Sequence, residues 1–170
     1  MEIRLPDNLD FEKLVSSIDI AVFEKINSLS LADCNFIYPS AILPLLYLLS
    51  DKLKLNPEMP SALKNYLERM NFFANIPYDF PRPTINRNPS ESNFIEISAF
   101  NSASNDNEVM GTSNGITQFI NKNIQQINPK RILEYGNAEL VDNARVHSQA
   151  DKCFVLGQNY KNRNFILITH

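Results

Sequence analysis

The chain has no tryptophan, two histidines, two cysteines and only four glycines in 170 residues. Each scarcity closes a route. Phosphate cradles of the P-loop or dinucleotide-binding kind need several glycines at fixed spacing, so that bare backbone can approach the phosphates. Gly111, Gly115, Gly136 and Gly157 form no such pattern. A zinc site built from Cys and His needs paired ligands at short spacing, and Cys34, Cys153, His147 and His170 supply no such pairs. The two cysteines lie far apart among apolar neighbours. They fit buried thiols in a reducing compartment better than a disulfide framework. Neither a nucleophile elbow nor His-Glu-x-x-His occurs, which argues against the common stand-alone hydrolase sites.

An excess of positive charge is also missing. Sixteen Lys and Arg face nineteen Asp and Glu, for a net charge of -3 and a pI near 5.4. The basic residues are scattered, so nucleic acid is not an expected partner. The longest apolar run, FIYPSAILPLLYLL at 36–49, is too short to cross a bilayer and contains Pro39 and Pro44. The opening MEIRLPDNLDFEK has no apolar signal core. A cytoplasmic location with no membrane partner is the expectation.

What is present is material for a folded α/β (α+β) protein, with 44% hydrophobic residues to build a core. Phe11, Leu14, Val15, Ile18, Val22 and Ile26 recur at three- and four-residue steps, which predicts a helix over 10–26. SLSLADCNFIYP reads as a strand running to a turn at Pro39. Ser40 is placed to cap a second helix over about 40–53, with Ile42, Leu45, Leu46 and Leu49 inward. A third helix begins at Ser61 and ends at Phe72 and Phe73.

From 75 to 93, four prolines without hydrophobic periodicity predict an extended connector between a first domain at 1–74 and a second at 94–170. In the second domain FIEISAF at 94–100 alternates as a strand, SASNDNEVMGTSN reads as a loop, and Ile116, Phe119, Ile120 and Ile127 mark a helix from Gly115 to Ile127. A further helix spans about 130–150, with Pro129 in its first turn. KCFVLGQNY and RNFILITH follow as an antiparallel pair.

The chemistry concentrates in ELVDNARVHS, residues 139–148. On a helix Glu139, Asn143 and His147 form a polar row, beside an apolar stripe of Leu133, Leu140, Val141 and Ala144. Phosphoryl transfer to water needs a carboxylate to orient or deprotonate the water, and an oxygen ligand for Mg²⁺ nearby. Glu139 and the Asn143 amide oxygen are of those types, and Mg²⁺ takes few ligands from protein. The same spacing also suits the solvated side of an ordinary surface helix, and periodicity does not choose between the two.

ELVDNARVHS resembles the N-box helix of the GHKL ATPases, the superfamily of gyrase and the histidine kinases, whose pattern is roughly Glu-Leu-x-x-Asn-Ala-x-x-His-Ser. The resemblance implies ATP and Mg²⁺ as cofactors and a partial GHKL-type α/β sandwich over 94–170. Glu139 takes the catalytic role, activating water or a phosphoacceptor. Asn143 is the Mg²⁺ ligand, and Asn143 and His147 fall on the cofactor-binding row.

The N-terminal order of strand, FIYPSAILPLLYLL and YLERMNFF is similar to the STAS-like segment that precedes a GHKL domain in some bacterial proteins. STAS domains are small α/β modules for protein contact, so this resemblance implies a protein partner, or a second copy in a homodimer. Aligning FIYPSA on their Asp-Ser-Ser-Gly helix start makes Ser40 a candidate phosphoacceptor, although Tyr38, Pro39 and Ala41 depart from that pattern.

A GHKL site is completed by an Asp-x-Gly-x-Gly loop and a glycine-rich lid. Neither occurs within these 170 residues, and His170 stands near the place of the adenine-binding Asp. The expectation is a regulatory ATP-binding protein of GHKL type with a STAS-like interaction domain, truncated or degenerate in this chain and inactive alone. The alternative is a non-catalytic interaction module, a scaffold like an anti-sigma-factor antagonist.

Overall fold

The fold is that of a computed structural model, which describes residues 1–18, 24–50, 52–85, 94–100, 106–123, 130–147, 152–160 and 163–169. Side chains at 130–134, 147, 160 and 163–169 are outside the description. The protein is mixed α and β, as its sequence predicts, and divides into two compact units, Met1–Arg87 and Asn88–His170.

Unit 1 is built on three short parallel strands in the order β1 (Glu2–Arg4), β2 (Ser28–Ser30) and β3 (Lys54–Leu55). Leu29 sits at the centre, with Ile3 and Leu55 in register on either side. Parallel strands require crossovers. Helix α1 (Phe11–Ser17) lies in the first crossover and α2 (Pro39–Leu48) in the second.

Asp10 caps α1, its carboxylate accepting the Lys13 N–H at 2.8 Å. The helix is shorter than the spacing predicts. Ser16 and Ser17 turn their hydroxyls back to the carbonyls of Glu12 and Lys13, each at 2.7 Å, a local bond that weakens helix propagation. Ile18 is already extended. Leu14 is therefore the buried residue of α1, Phe11 and Val15 are exposed, and Ile26 is buried from outside the helix. Val22 lies outside the described residues.

Helix α2 starts one residue earlier than predicted, with Pro39 in its first turn and Tyr38 as a cap that makes no side-chain hydrogen bond. The expected capping role of Ser40 is thus corrected: proline's fixed φ starts the helix, and Ser40 is half-buried inside it. The helix ends at Leu48 rather than near 53. The Ser50 hydroxyl accepts the N–H groups of Lys52 and Leu53 and turns the chain toward β3.

Helix α3 (Ser61–Arg69) also stops before Phe72. Asn71 takes a left-handed φ of 62°; its N–H reaches the Glu68 carbonyl, and the Phe72 N–H reaches that of Leu67, each at 3.0 Å. This is a Schellman cap, with buried Phe72 as its hydrophobic contact.

In unit 2, β4 (Phe94–Phe100), β5 (Cys153–Tyr160) and β6 (Arg163–Thr169) form an antiparallel sheet with β5 in the middle. Helices α4 (Asp106–Asn123) and α5 (Lys130–His147) lie between β4 and β5 in the chain. They pack on the sheet through Phe100, Val109, Ile116, Phe119, Ile120, Val141, Cys153 and Val155. The stretch predicted as a loop at 102–114 is α4 from Asp106 onward. Its inward residues include Ser113 and Thr117, which conceal the helical period of Val109, Ile116 and Ile120 from a hydrophobicity reading.

Candidate functional site

Helix α5 carries the polar row. It contains no proline, and one glycine, Gly136, with open space around it. The inward side of its described part is Asn137, Val141 and Ala144, at four- and three-residue steps. Residues on the side away from that sector point away from the sheet. Glu139 and Asn143 do so: both are exposed, one turn apart, about 6 Å along the axis at ~1.5 Å rise per residue. His147 closes α5, and its side chain is outside the described residues. Ser40 belongs to α2 of the other unit.

The predicted apolar stripe needs correction at Leu140, and the side chain of Leu133 lies outside the described residues. Leu140 is 59% exposed, and with Tyr135 at 70% and Val146 at 55% it surrounds the Glu139–Asn143 row with apolar surface. Asn137 takes the inward place instead. Its amide Nδ2 donates to Thr117 Oγ1 on α4 at 3.0 Å, and the bond is buried.

Arg145 lies on another side of α5, about 200° round the helix from Asn143. Its Nε donates to Asp142 Oδ1 and its Nη1 to Asp106 Oδ1, both at 3.0 Å, tying α5 to the first residue of α4. The Asp142 hydrogen bond is the main cause of a guanidinium pKa above its ordinary value. The Cys153 thiol of β5 donates to the Ala144 carbonyl at 3.4 Å. Both cysteines are buried and neither is in a disulfide, as predicted.

No family model, curated protein or solved structure matches this chain.

Among the described residues no group of three or more His, Cys, Asp or Glu side chains is arranged to hold a metal ion. Asn143 offers one exposed amide oxygen and Glu139 a carboxylate one turn away, oxygen donors of the type Mg²⁺ takes from protein. Among the described residues no helix is long and apolar enough to cross a membrane.

Sequence reasoning missed Asn137, Thr117, Arg145 and Asp106. The signal for Asn137 was available in its spacing, since 137, 141 and 144 follow a helical period. A hydrophobicity pattern passes over an Asn.

Unit 1 holds an open cleft of about 380 Å³ lined by residues from Phe73 to Arg82. Its walls are set by a strap over 76–82. Phe80 stacks on Phe73 with ring centroids 4.8 Å apart, and the Tyr78 hydroxyl accepts the Leu55 N–H. The Arg82 guanidinium grips Glu68 of α3 through Nη2–Oε1 at 2.7 Å and Nε–Oε2 at 3.2 Å. This part of the proline-rich stretch is attached to unit 1.

Proposed function

We propose that α5 presents the Mg²⁺-nucleotide face of a regulatory ATP-binding protein of GHKL type. The observation that carries this reading is the exposure of Glu139 and Asn143 one turn apart, on a helix whose opposite side is packed on an antiparallel sheet. In this role the Asn143 amide oxygen ligates Mg²⁺ and the Glu139 carboxylate orients a water beside the phosphate. Bound ATP and Mg²⁺ supply the phosphoryl group and its charge neutralisation. Residues 1–170 contain no Asp-x-Gly-x-Gly, so the reading is one of weak binding by this chain alone, without turnover.

The test is a ¹H–¹⁵N titration of the full chain with Mg-ADP into the millimolar range. Amides of 139–147 shift in the native chain and stay in place in Asn143→Ala. The exposed substitution changes stability by no more than about 0.5 kcal/mol. Absence of any shift in α5 at millimolar Mg-ADP refutes the proposal.

A second reading, protein contact through unit 1, has its own support. Phe11 and Val15 are exposed one turn apart on α1, and Tyr47 is exposed on α2. The buried Ala41, Ile42, Leu43, Leu45 and Leu46 leave α2 little other apolar surface to offer. Self-association through α1 predicts a concentration-dependent dimer in sedimentation equilibrium that Phe11→Glu abolishes. A monomer at every concentration eliminates that form of the reading.

A further inference from the structure

Helix α5 is joined to α4 by two polar contacts at opposite ends of the row. Asn137 meets Thr117 in the buried interior, and Arg145 meets Asp106 at the other end. The hairpin is antiparallel, since the later position on α5 pairs with the earlier one on α4. The two contacts bracket the row in a specific way: Asn137 stands two residues before Glu139, and Arg145 two residues after Asn143. Helix positions two apart are separated by about 200°. Whatever turns Asn137 inward therefore turns Glu139 outward, and Arg145 has the same relation to Asn143.

Among the described residues, the apolar contacts of α5 do not set this angle sharply. Val141 and Ala144 pack among Val109, Ile116, Ile120 and Val155, and apolar burial is non-directional. A rotated α5 keeps most of that burial by bringing Leu140 inward. It also leaves the Asn137 amide and the Thr117 hydroxyl unpaired in a dry interior, which is costly where an apolar pair is indifferent.

We propose that Asn137, through Thr117, is a positioning residue that sets the rotation of α5 and so keeps Glu139 and Asn143 on the solvent face. The value of that rotation for nucleotide rests on the reading given above; the rotation itself does not.

The test uses thiol labelling of the full chain, with Glu139→Cys or Val141→Cys as reporters. Native Cys34 and Cys153 are buried, so the introduced thiol dominates fast labelling, and protected Cys153 certifies that unit 2 is folded. In the native background Cys at 139 labels far faster than Cys at 141. The double change Asn137→Leu/Thr117→Val removes both polar partners and leaves no unsatisfied group. It is expected to lower the 139:141 rate ratio by roughly tenfold or more with Cys153 still protected. The exchanged pair, Thr117→Asn/Asn137→Thr, restores a polar contact and the ratio.

An unchanged ratio in the double variant overturns the proposal. So does exposure of Cys153 in both variants, because the pair then serves folding rather than rotation. Mg-ADP titration separates this inference from the functional one. A ratio that falls in a chain showing no Mg-ADP shifts keeps the positioning role and removes the nucleotide reading. Shifts that survive an unchanged ratio do the reverse.

Discussion

Replacing Arg82 with Ala should release the strap from unit 1. The guanidinium is 43% exposed, while the Glu68 carboxylate it grips is 6% exposed. Two charge-assisted bonds are lost, and hydrogen bonds to charged groups contribute about 1.5–3 kcal/mol where solvent is excluded. Screening of the exposed guanidinium pulls this down toward the value of surface pairs. The expected loss is about 1–2 kcal/mol. For a unit of this size, Met1–Arg87, that lowers the melting midpoint by roughly 5–12 °C. Calorimetry of the full chain measures the midpoint. A second readout is the Tyr78 phenol, which burial holds above its ordinary pKa against the opposing effect of the Leu55 N–H. Loosening the strap lets water in, so the phenol titrates at lower pH in ultraviolet difference spectra. Arg82→Lys keeps the charge but not the fork and should fall between. A midpoint and a Tyr78 titration both unchanged in Arg82→Ala would refute the view that this pair holds the strap.

Gly157→Ala should destabilise unit 2 by about 1–2 kcal/mol, because its new Cβ would stand 2.7 Å from Ile95 Cδ1 and 2.9 Å from Cγ1. Ile95→Ala in the same chain should recover part of the loss in urea titration; a loss unaffected by Ile95→Ala would show that the contact is not its cause. Asp7 has a pKa below its ordinary value, chiefly because the Asn35 N–H donates to its carboxylate at 3.0 Å, with the Asn8 N–H adding at 2.8 Å. A lowered carboxyl contributes stability above its unfolded value, near pH 4, and that contribution drains away as pH falls through the lower folded value. The stability difference between the native chain and Asp7→Asn should accordingly be flat above about pH 4 and shrink below it, and parallel pH curves would contradict this.

The longer elements were legible because their side chains repeat. β4 occupies 94–100 as its alternation predicts, and the β5–β6 pair forms where the two apolar runs stand. The strands of unit 1 were harder. β1 and β3 have three and two residues, too few to show a period of two, and their pairing with β2 depends on the crossovers. The first half of α4 reads as a loop for the converse reason. Its buried line passes through Ser113 and Thr117, so what identifies the helix is the surface it meets. The strap at 76–82 was unreadable because Tyr78 and Arg82 bind groups far away in sequence, Leu55 and Glu68. Proline content announces an extended chain but does not say what that chain lies against.

The row on α5 shows the difference between period and phase. Spacing alone places Glu139 and Asn143 on one side of a helix. It does not say whether that side meets solvent or core, because a ring of Tyr135, Leu140, Val141, Ala144 and Val146 offers apolar residues in several directions. Ranking by hydrophobicity favours an inward face containing Leu140, and in the structure that residue is exposed while Asn137 is buried. Phase on such a helix is decided by the group that bears the largest penalty for facing the wrong way. Leu140 in water forfeits some apolar burial and little else. An Asn buried without a partner forfeits its hydrogen bonds, but with Thr117 opposite it the same burial becomes directional. A partner twenty residues away on another helix therefore determines which way Glu139 faces, and only the packed hairpin shows it.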